Sequence, residues 1–371
     1  MLTNKLKQDL EHRKQRGLYR KRQVADGHLL NFSSNDYLSL SGHAAVQNGY
    51  KIGIERFSAG SGGSMLVSGY HPVHQALECA FAKALNVDAC ILFSSGYAAN
   101  LSVMNLLGTM QAHVLLDKAA HASIYDGLKL SEAPFSRYLH NNLDDLALKV
   151  QTMPARTVLI TESIFSMSGQ RSSLAKIAQI ANPYGYELLV DEAHAFGIVG
   201  REGLGAVIHE GLTQADVPLR MVPFGKAYGA FGAIVAGQGV WIDALLQAAR
   251  PAIYSTAMSP AYAYGLMQTL DIIRGADLRR EKLTLLVSYF RERINQSSLT
   301  WGDSVSPIQQ LQLGCPHQAL SFSMKLKEQG ILCMPIRQPT VAKAHTGLRV
   351  ILNHNHQPED IDRLFQCLHA L

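Results

Sequence analysis

The sequence predicts an α/β fold: a largely parallel sheet covered by helices on both faces, followed by a smaller α+β domain. Two observations carry the first part. Short segments that are apolar and rich in leucine or β-branched residues recur along the chain, as "ACILF" (89–93), "HVLLD" (113–117), "TVLITE" (157–162), "ELLVDE" (187–192) and "GAIVAG" (232–237). Helical stretches such as "LAKIAQIANPYG" separate them. Strands that are apolar on both faces and alternate with helices build a parallel sheet buried on both sides. The third observation carries the smaller domain. After about residue 250 the alternation stops, and long helix, short strands and a final helix follow.

In chain order, residues 1–22 read as an amphipathic helix, with Leu2, Leu6 and Leu10 recurring at four and Gly17 marking its end. "HLLNFSSNDYLSL" reads as a short strand and a polar turn. "PVHQALECAFAKAL" (72–85) is a strong helix. Val73, Ala76, Leu77, Ala80, Phe81, Ala84 and Leu85 follow the helical spacing, and Pro72 suits a first turn. Residues 259–294 read as long helix, and short strands are expected near 308–313, 331–336 and 347–352. "PEDIDRLFQCLHAL" closes the chain as a helix. A chain of 371 residues is ample for two domains. The texture predicts an N-terminal helix and strand segment over 1–42, a large domain over 43–255 and a small domain over 256–371.

Composition excludes several classes. Hydrophobic residues make up 47% and charged residues 17%, as in soluble globular proteins. No run of 18 apolar residues predicts a membrane span. The charged start, "MLTNKLKQDLEHRKQRG", lacks an apolar signal core, so a cytoplasmic address is expected. Five cysteines (Cys79, Cys90, Cys315, Cys333 and Cys367) are odd in number and form no C-x-x-C pair, which argues against a disulfide framework or structural zinc. His71 and His74 form H-x-x-H, not H-E-x-x-H, and no metal site is expected. The net charge is +5, and much of the excess sits in the first 22 residues. One basic helix without groove-reading elements is a solvated face, so nucleic acid is not an expected partner.

In such a sheet, ligands bind beyond the carboxyl ends of the strands. The polar residues there are Ser94, Ser95 and Gly96; Asp117 and His121; Glu162 and Ser166; Asp191 and His194; and Lys226, in a loop between two strand-like pieces. "VDEAH" places a carboxylate at a strand end with a histidine three residues on. It reads as a structural pair or as an acid gripping a protonated ring nitrogen. "SSGYAAN" (94–100) follows a strand and opens a helix, where free amides and the positive dipole end favour phosphate, and Tyr97 offers a ring to stack on. "SAGSGGS" (58–64) lacks the phosphate-loop pattern and reads as a mobile, glycine-rich substrate loop. Lys226, in "MVPFGKAYGAFGA", is either a solvent-facing turn lysine or a sheltered, nucleophilic amine. Together these residues supply what pyridoxal 5'-phosphate needs: a phosphate anchor, a stacking ring, a pyridinium partner and a Schiff-base lysine. No G-x-G-x-x-G with a following acid is present, which argues against a dinucleotide-binding dehydrogenase.

The series "GSGGSMLVSGYHPVHQALE", "SSGYAAN", "DKAAHASIYDG", "TESIFSMSG", "VDEAHAFGIVGREGLG", "FGKAYG", "IYSTAMSPA" and "IRQPTV" resembles the α-oxoamine synthases, from about residue 17 to the C-terminus. These are fold-type I pyridoxal-phosphate transferases, with a mostly parallel seven-stranded sheet, that condense an amino acid with an acyl thioester and release CO2. The resemblance implies that Lys226 forms the Schiff base and moves the Cα proton. It implies that Asp191 partners the pyridine nitrogen, that His121 stacks on the ring and that His194 bonds the phenolic oxygen. Gly96 and Tyr97 would flank the phosphate, with Ser166 nearby. Arg349 would grip the amino-acid carboxylate, and Arg20, Asn35 and Thr340 would line the acyl entrance. Ser255 and Thr256 match positions that reach a phosphate across an interface, which implies a homodimer. "NFSSNDYLSL", "GYHPVHQALE" and "PIRQPTV…GLRVIL" resemble the branch that joins L-alanine to a pimeloyl thioester on acyl carrier protein or coenzyme A, in biotin biosynthesis. The open alternatives are another member, such as a glycine C-acetyltransferase, and a degenerate homologue without catalysis. One departure stands out. Where the family carries Thr or Ser three residues before the lysine, this chain has Pro223, with neither hydroxyl nor N–H. A phosphate hydrogen bond worth roughly 1.5–3 kcal/mol would be missing.

Overall fold

A computed structural model of the chain describes residues 1–24 and 26–371. In chain order the elements begin with α1 (Leu2–Gln15), β1 (Leu30–Asn31), α2 (Ala44–Arg56) and α3 (Pro72–Leu85). Strand and helix then alternate through β2 (Ala89–Phe93), α4 (Gly96–Thr109), β3 (His113–Asp117), α5 (Ala122–Ser131), β4 (Phe135–Tyr138) and α6 (Leu143–Val150). The alternation continues with β5 (Thr157–Glu162), α7 (Leu174–Ala181), β6 (Glu187–Asp191), α8 (Ala206–His209), β7 (Leu219–Pro223) and β8 (Ala233–Gly237). After it come α9 (Gly239–Ala248), α10 (Arg250–Ile253), α11 (Pro260–Arg274), α12 (Asp277–Asn295), β9 (Ile308–Gln312) and α13 (Pro316–Glu328). The chain ends with β10 (Ile331–Leu332), β11 (Met334–Ile336), β12 (Gly347–Ile351) and α14 (Pro358–His369). No helix among the described residues is long and apolar enough to cross a membrane.

The chain forms two compact units. The larger comprises residues 36–165 and 171–280, the smaller 1–35, 166–170 and 281–371. These divisions differ from the 42/43 and 255/256 boundaries expected from sequence texture. Helix α11 stays with the larger unit. Its backbone lies so close to α2 that a Cβ on Gly53 would sit 2.2 Å from the Ala261 carbonyl oxygen. In the same crossing, a Cβ on Gly265 would sit 2.1 Å from the Tyr50 ring. Texture alone groups α11 with the helix after it, and the long helix expected over 259–294 is in fact two, broken at Gly275.

In the larger unit, seven strands form one sheet in the order β2-β8-β7-β6-β5-β3-β4. Strand β8 runs antiparallel to both its neighbours, and every other pairing is parallel. The parallel strands are buried because helices cover both faces. β5 is buried along its whole length, and Leu116, Ile160, Leu189, Leu219 and Val235 share one core with Val103, Leu107 and Ile124 of α4 and α5. β4 escapes sequence detection because "FSRY" carries no apolar run. β7 is obscured by Arg220, a buried guanidinium that donates to the Leu85 carbonyl at 2.8 Å.

Helix α3 occupies the span expected, but its inner face is not purely apolar. His74 and Glu78 are buried with Val73, Leu77, Phe81 and Leu85. Glu78 accepts from the Leu92 amide (2.9 Å) and the Tyr70 hydroxyl (2.5 Å), and burial pushes its carboxyl up to about 7.

In the smaller unit, β11, β12 and β9 form an antiparallel sheet, and β1 pairs in parallel with β10. Phe290, Trp301 and Phe365 form its aromatic centre, with ring centroids 5.0–5.5 Å apart. Helix α1 buries none of its residues, and the Leu2, Leu6, Leu10 stripe is exposed. Gly17 follows it in the left-handed region, at φ +65°.

The α2–α11 crossing sets an expected sign. Replacing a helix glycine by alanine ordinarily gains up to about 1 kcal/mol. Gly53→Ala should instead cost about 1–3 kcal/mol through overpacking, read as a lower urea midpoint of the apoprotein. A gain in stability would show that the helices can move apart without cost.

Candidate active site

A cavity of about 290 Å³ lies in the larger unit, beyond the carboxyl ends of β2, β3, β5, β6 and β7. That is close to the lower end of the roughly 300–1,000 Å³ range of small-molecule sites. The convergence is a property of parallel strands, since each sends its following loop to the same edge of the sheet.

The turn after β2 supplies an anion-receptive end. Ser95 caps α4, its Oγ accepting from the Ala98 amide (3.1 Å) and its carbonyl from the Ala99 amide (3.0 Å). The amides of Gly96 and Tyr97, which open the helix and have no intrahelical acceptor, are left for a ligand in the cavity they line. Pro223, at the end of β7, presses on this turn. A Cβ on residue 96 would sit 2.5 Å from the Pro223 Cγ, so only glycine fits there. Pro223 itself lines the cavity and offers no donor. The Tyr97 hydroxyl donates to Asp126.

The end of β6 supplies a buried carboxylate. Asp191 is 4% exposed. Its Oδ1 accepts from the Ala193 amide and its Oδ2 from Asn100 Nδ2, both at 2.9 Å. These charge-assisted bonds offset the cost of burying the group. His194 lines the same cavity, and its Nδ1 is hydrogen-bonded to the Tyr37 hydroxyl at 2.6 Å. Glu162 ends the neighbouring strand in register with Asp191. The His121 ring keeps access to the open cavity while protein crowds it elsewhere. That crowding lowers its pKa, the Lys226 ammonium adds to the effect, and the Asp191 carboxylate opposes it.

Lys226 is half-buried in the return from β7 to β8. The return closes through Phe224 N to Gly232 O (2.9 Å), Ala230 N to Phe224 O (2.9 Å) and Gly229 N to Lys226 O (2.8 Å). Gly232 adopts φ +104°, a conformation side chains rarely take, and this lets the chain double back behind the lysine.

Of the residues singled out in the sequence, Gly96, Tyr97, His121, Asp191, His194 and Lys226 therefore line one cavity. Ser255 and Thr256 line a separate space of about 20 Å³ with His74 and Ser94. The glycine-rich segment 58–64, read from sequence as a mobile loop, is bonded to the chain beside Ser255 and Thr256. Ser61 Oγ donates to the Ala257 carbonyl (2.6 Å), and the Ala257 amide donates to the Gly63 carbonyl (2.9 Å). The remaining candidates belong to the smaller unit, where they bond one another. Arg20 donates to Thr340 (3.3 Å), and Arg349 donates to Asn35 Oδ1 (3.0 Å) and to the Ser166 carbonyl (2.7 Å). Asp117 acts as a turn anchor, accepting from the Ala119 and Asn141 amides at 2.7 Å each.

The sequence reading missed Asn100, Ser123 and Tyr37. Asn100 had a signal, being a polar residue one turn into a largely apolar helix. Ser123 had a weaker one, two residues after a helix-capping histidine. Tyr37 had none, since its partner lies far along the chain.

The donor set fits pyridoxal phosphate: helix-start amides for a phosphate, a buried carboxylate for a protonated ring nitrogen, an imidazole and an amine. The comparisons agree. The model of the family "Aminotransferase class I and II" matches residues 27–368. A protein of Pseudomonas putida (strain GB-1) named 8-amino-7-oxononanoate synthase is 41% identical over 346 residues, 93% of this chain and 89% of its own. A protein of the same name from Thioalkalivibrio sulfidiphilus is 39% identical, over 98% of this chain and 96% of its own. Among solved structures, the 8-amino-7-oxononanoate synthase of Francisella tularensis superposes with a TM-score of 0.82 at 30% identity, over 93% of this chain and 98% of that one. Sphingomonas wittichii serine palmitoyltransferase shares the fold, with a TM-score of 0.87 at 25% identity, over 92% of this chain and 86% of that one.

Pro223 yields a direct test. Pro223→Thr restores a hydroxyl beside the helix start and should tighten pyridoxal phosphate binding about ten- to a hundredfold, measured by absorbance titration of the apoprotein. Unchanged or weaker binding would show that the proline ring's packing on Gly96, not the absent hydroxyl, sets the affinity.

Proposed function

The chain belongs to the aminotransferase class I and II family and is a pyridoxal-phosphate-dependent acyltransferase; on that premise we propose that it joins L-alanine to a pimeloyl thioester, releasing CO2 and the free carrier and giving 8-amino-7-oxononanoate for biotin. One observation carries the reading: Lys226, Asp191, His121, His194 and the start of α4 share a single cavity. The match in name and length to the curated relatives supports the substrate assignment.

When bound, the cofactor supplies an electron sink for negative charge at the substrate's α-carbon. The roles we assign to the protein follow from its own groups. The Lys226 amine would hold the cofactor covalently and, when free, would take the substrate's α-proton and return a proton to that carbon. Its place in a half-buried return keeps the amine near the reacting carbon. Asp191, fixed by the Ala193 and Asn100 donors, accepts the ring N–H and so preserves the sink. His121 would pack against the ring. Held at Nδ1 by the Tyr37 hydroxyl, His194 would present Nε2 to the phenolic oxygen. Gly96 and Tyr97 bind the phosphate through their amides. Arg349, oriented by Asn35 and the Ser166 carbonyl, takes the alanine carboxylate, and Arg20 and Thr340 take the acyl substrate. The carrier is acyl carrier protein or coenzyme A. We assign a cytoplasmic homodimer in which Ser255 and Thr256 complete the partner's phosphate site.

Two measurements test this. Assays of alanine, glycine and serine, each with pimeloyl and acetyl thioesters, should give the highest kcat/KM for alanine with the pimeloyl substrate. A preference for glycine with acetyl-coenzyme A would replace the assignment with the acetyltransferase reading. Arg349→Lys keeps the charge but loses the fork, and should raise KM for alanine at least tenfold while leaving KM for the thioester within about twofold. Equal effects on both would remove Arg349 from the amino-acid site.

A further inference from the structure

A hydrogen-bonded chain runs from the Asn100 grip on Asp191 through Ser123, which the roles above do not use, to the His121 ring. Asn100 is 2% exposed and Ser123 fully buried. Asn100 Nδ2 donates to both Asp191 Oδ2 and Ser123 Oγ, each at 2.9 Å. The amide orientation is fixed by this pair of contacts. Turned over, Asn100 would set its carbonyl oxygen against the Asp191 carboxylate, acceptor against acceptor. Ser123 Oγ therefore accepts from Asn100, and it lies 2.8 Å from His121 Nδ1; because the next contact makes that nitrogen an acceptor, the hydroxyl proton goes to it. The Ser123 backbone amide donates to the same nitrogen at 3.3 Å. Two donors meet on His121 Nδ1.

The geometry points to Asn100 and Ser123 as positioning residues that hold the Asp191 carboxylate in place and lock His121 as the neutral tautomer with its proton on Nε2. The inference rests on the cofactor roles proposed above. A proton on Nδ1 would face the Ser123 N–H and leave the Ser123 hydroxyl hydrogen without its acceptor. The remaining charges facing the ring are those of Asp191, Asp126 and Lys226. The two carboxylates favour a charged imidazole, and Lys226 disfavours it. The Ser123 lock makes the neutral ring win, so that no imidazolium lies against a protonated pyridine ring competing for Asp191.

The test is read without substrate, so its failure is distinct from failure of the substrate assignment. Nitrogen-15 NMR of histidine-labelled apoprotein, with His121 assigned by His121→Gln, should show Nδ1 unprotonated and Nε2 protonated, with titration below the ordinary histidine value. Ser123→Ala should bring in both tautomers and raise the His121 pKa. Asn100→Ala frees the Ser123 hydroxyl to accept and should raise the pKa in the same direction. A wild-type ring protonated on Nδ1, or one that titrates near 6.5, would overturn the inference without any variant. So would a Ser123→Ala spectrum matching wild type.

Discussion

A carboxylate buried at the end of a parallel strand organises this site. Removing Asp191 from water costs several kcal/mol unless donors replace the lost hydration. The structure supplies one donor from its own turn, Ala193, and one from the neighbouring helix, Asn100. The second carries a geometric consequence. Asn100 lies four residues beyond Gly96 on α4, a rise of about 6 Å. The anion-receptive helix start and the grip on the carboxylate therefore sit on one rigid turn. The two ends of a flat, doubly anchored ligand are spaced by backbone geometry, not by flexible side chains.

The sheet order explains why so many separate segments meet. Parallel strands send their loops to one edge, and β3, β5, β6 and β7 each place a polar residue or turn there. β8 runs the other way, and that reversal produces the tight return containing Lys226. A crossover helix after β7 would have carried the chain away from the cavity. A hairpin-like return keeps the lysine at the cavity's rim and lets glycine conformations set its direction.

Much of this was readable in advance, and the limits follow physical lines. Strands with continuous apolar runs, such as β3, β5 and β6, lie where the sequence places them, because burial on both faces leaves a run that nothing else mimics. β4 was hidden because an edge strand needs no such run. Arg220 obscured β7, since a buried guanidinium bonded to a distant carbonyl has no local signature. The domain boundary followed helical texture, whereas the real division follows the close crossing of α2 and α11, which only small residues at Gly53 and Gly265 reveal. Within the site, strand-end chemistry identified Asp191, His194 and Lys226. The groups that hold them, Asn100, Ser123 and Tyr37, are visible only once distant segments are brought together.

The contact between Gly96 and Pro223 couples two distant positions sterically. While proline occupies 223, its ring fills the volume that any side chain at 96 would need, so selection at 96 admits one residue. A smaller or more mobile residue at 223 would relax that exclusion and add a donor at the same stroke. The two positions are thus coupled in order as well as in effect: replacing the proline first opens position 96 to a side chain, whereas a side chain placed at 96 first meets the proline ring at the mouth of the phosphate turn.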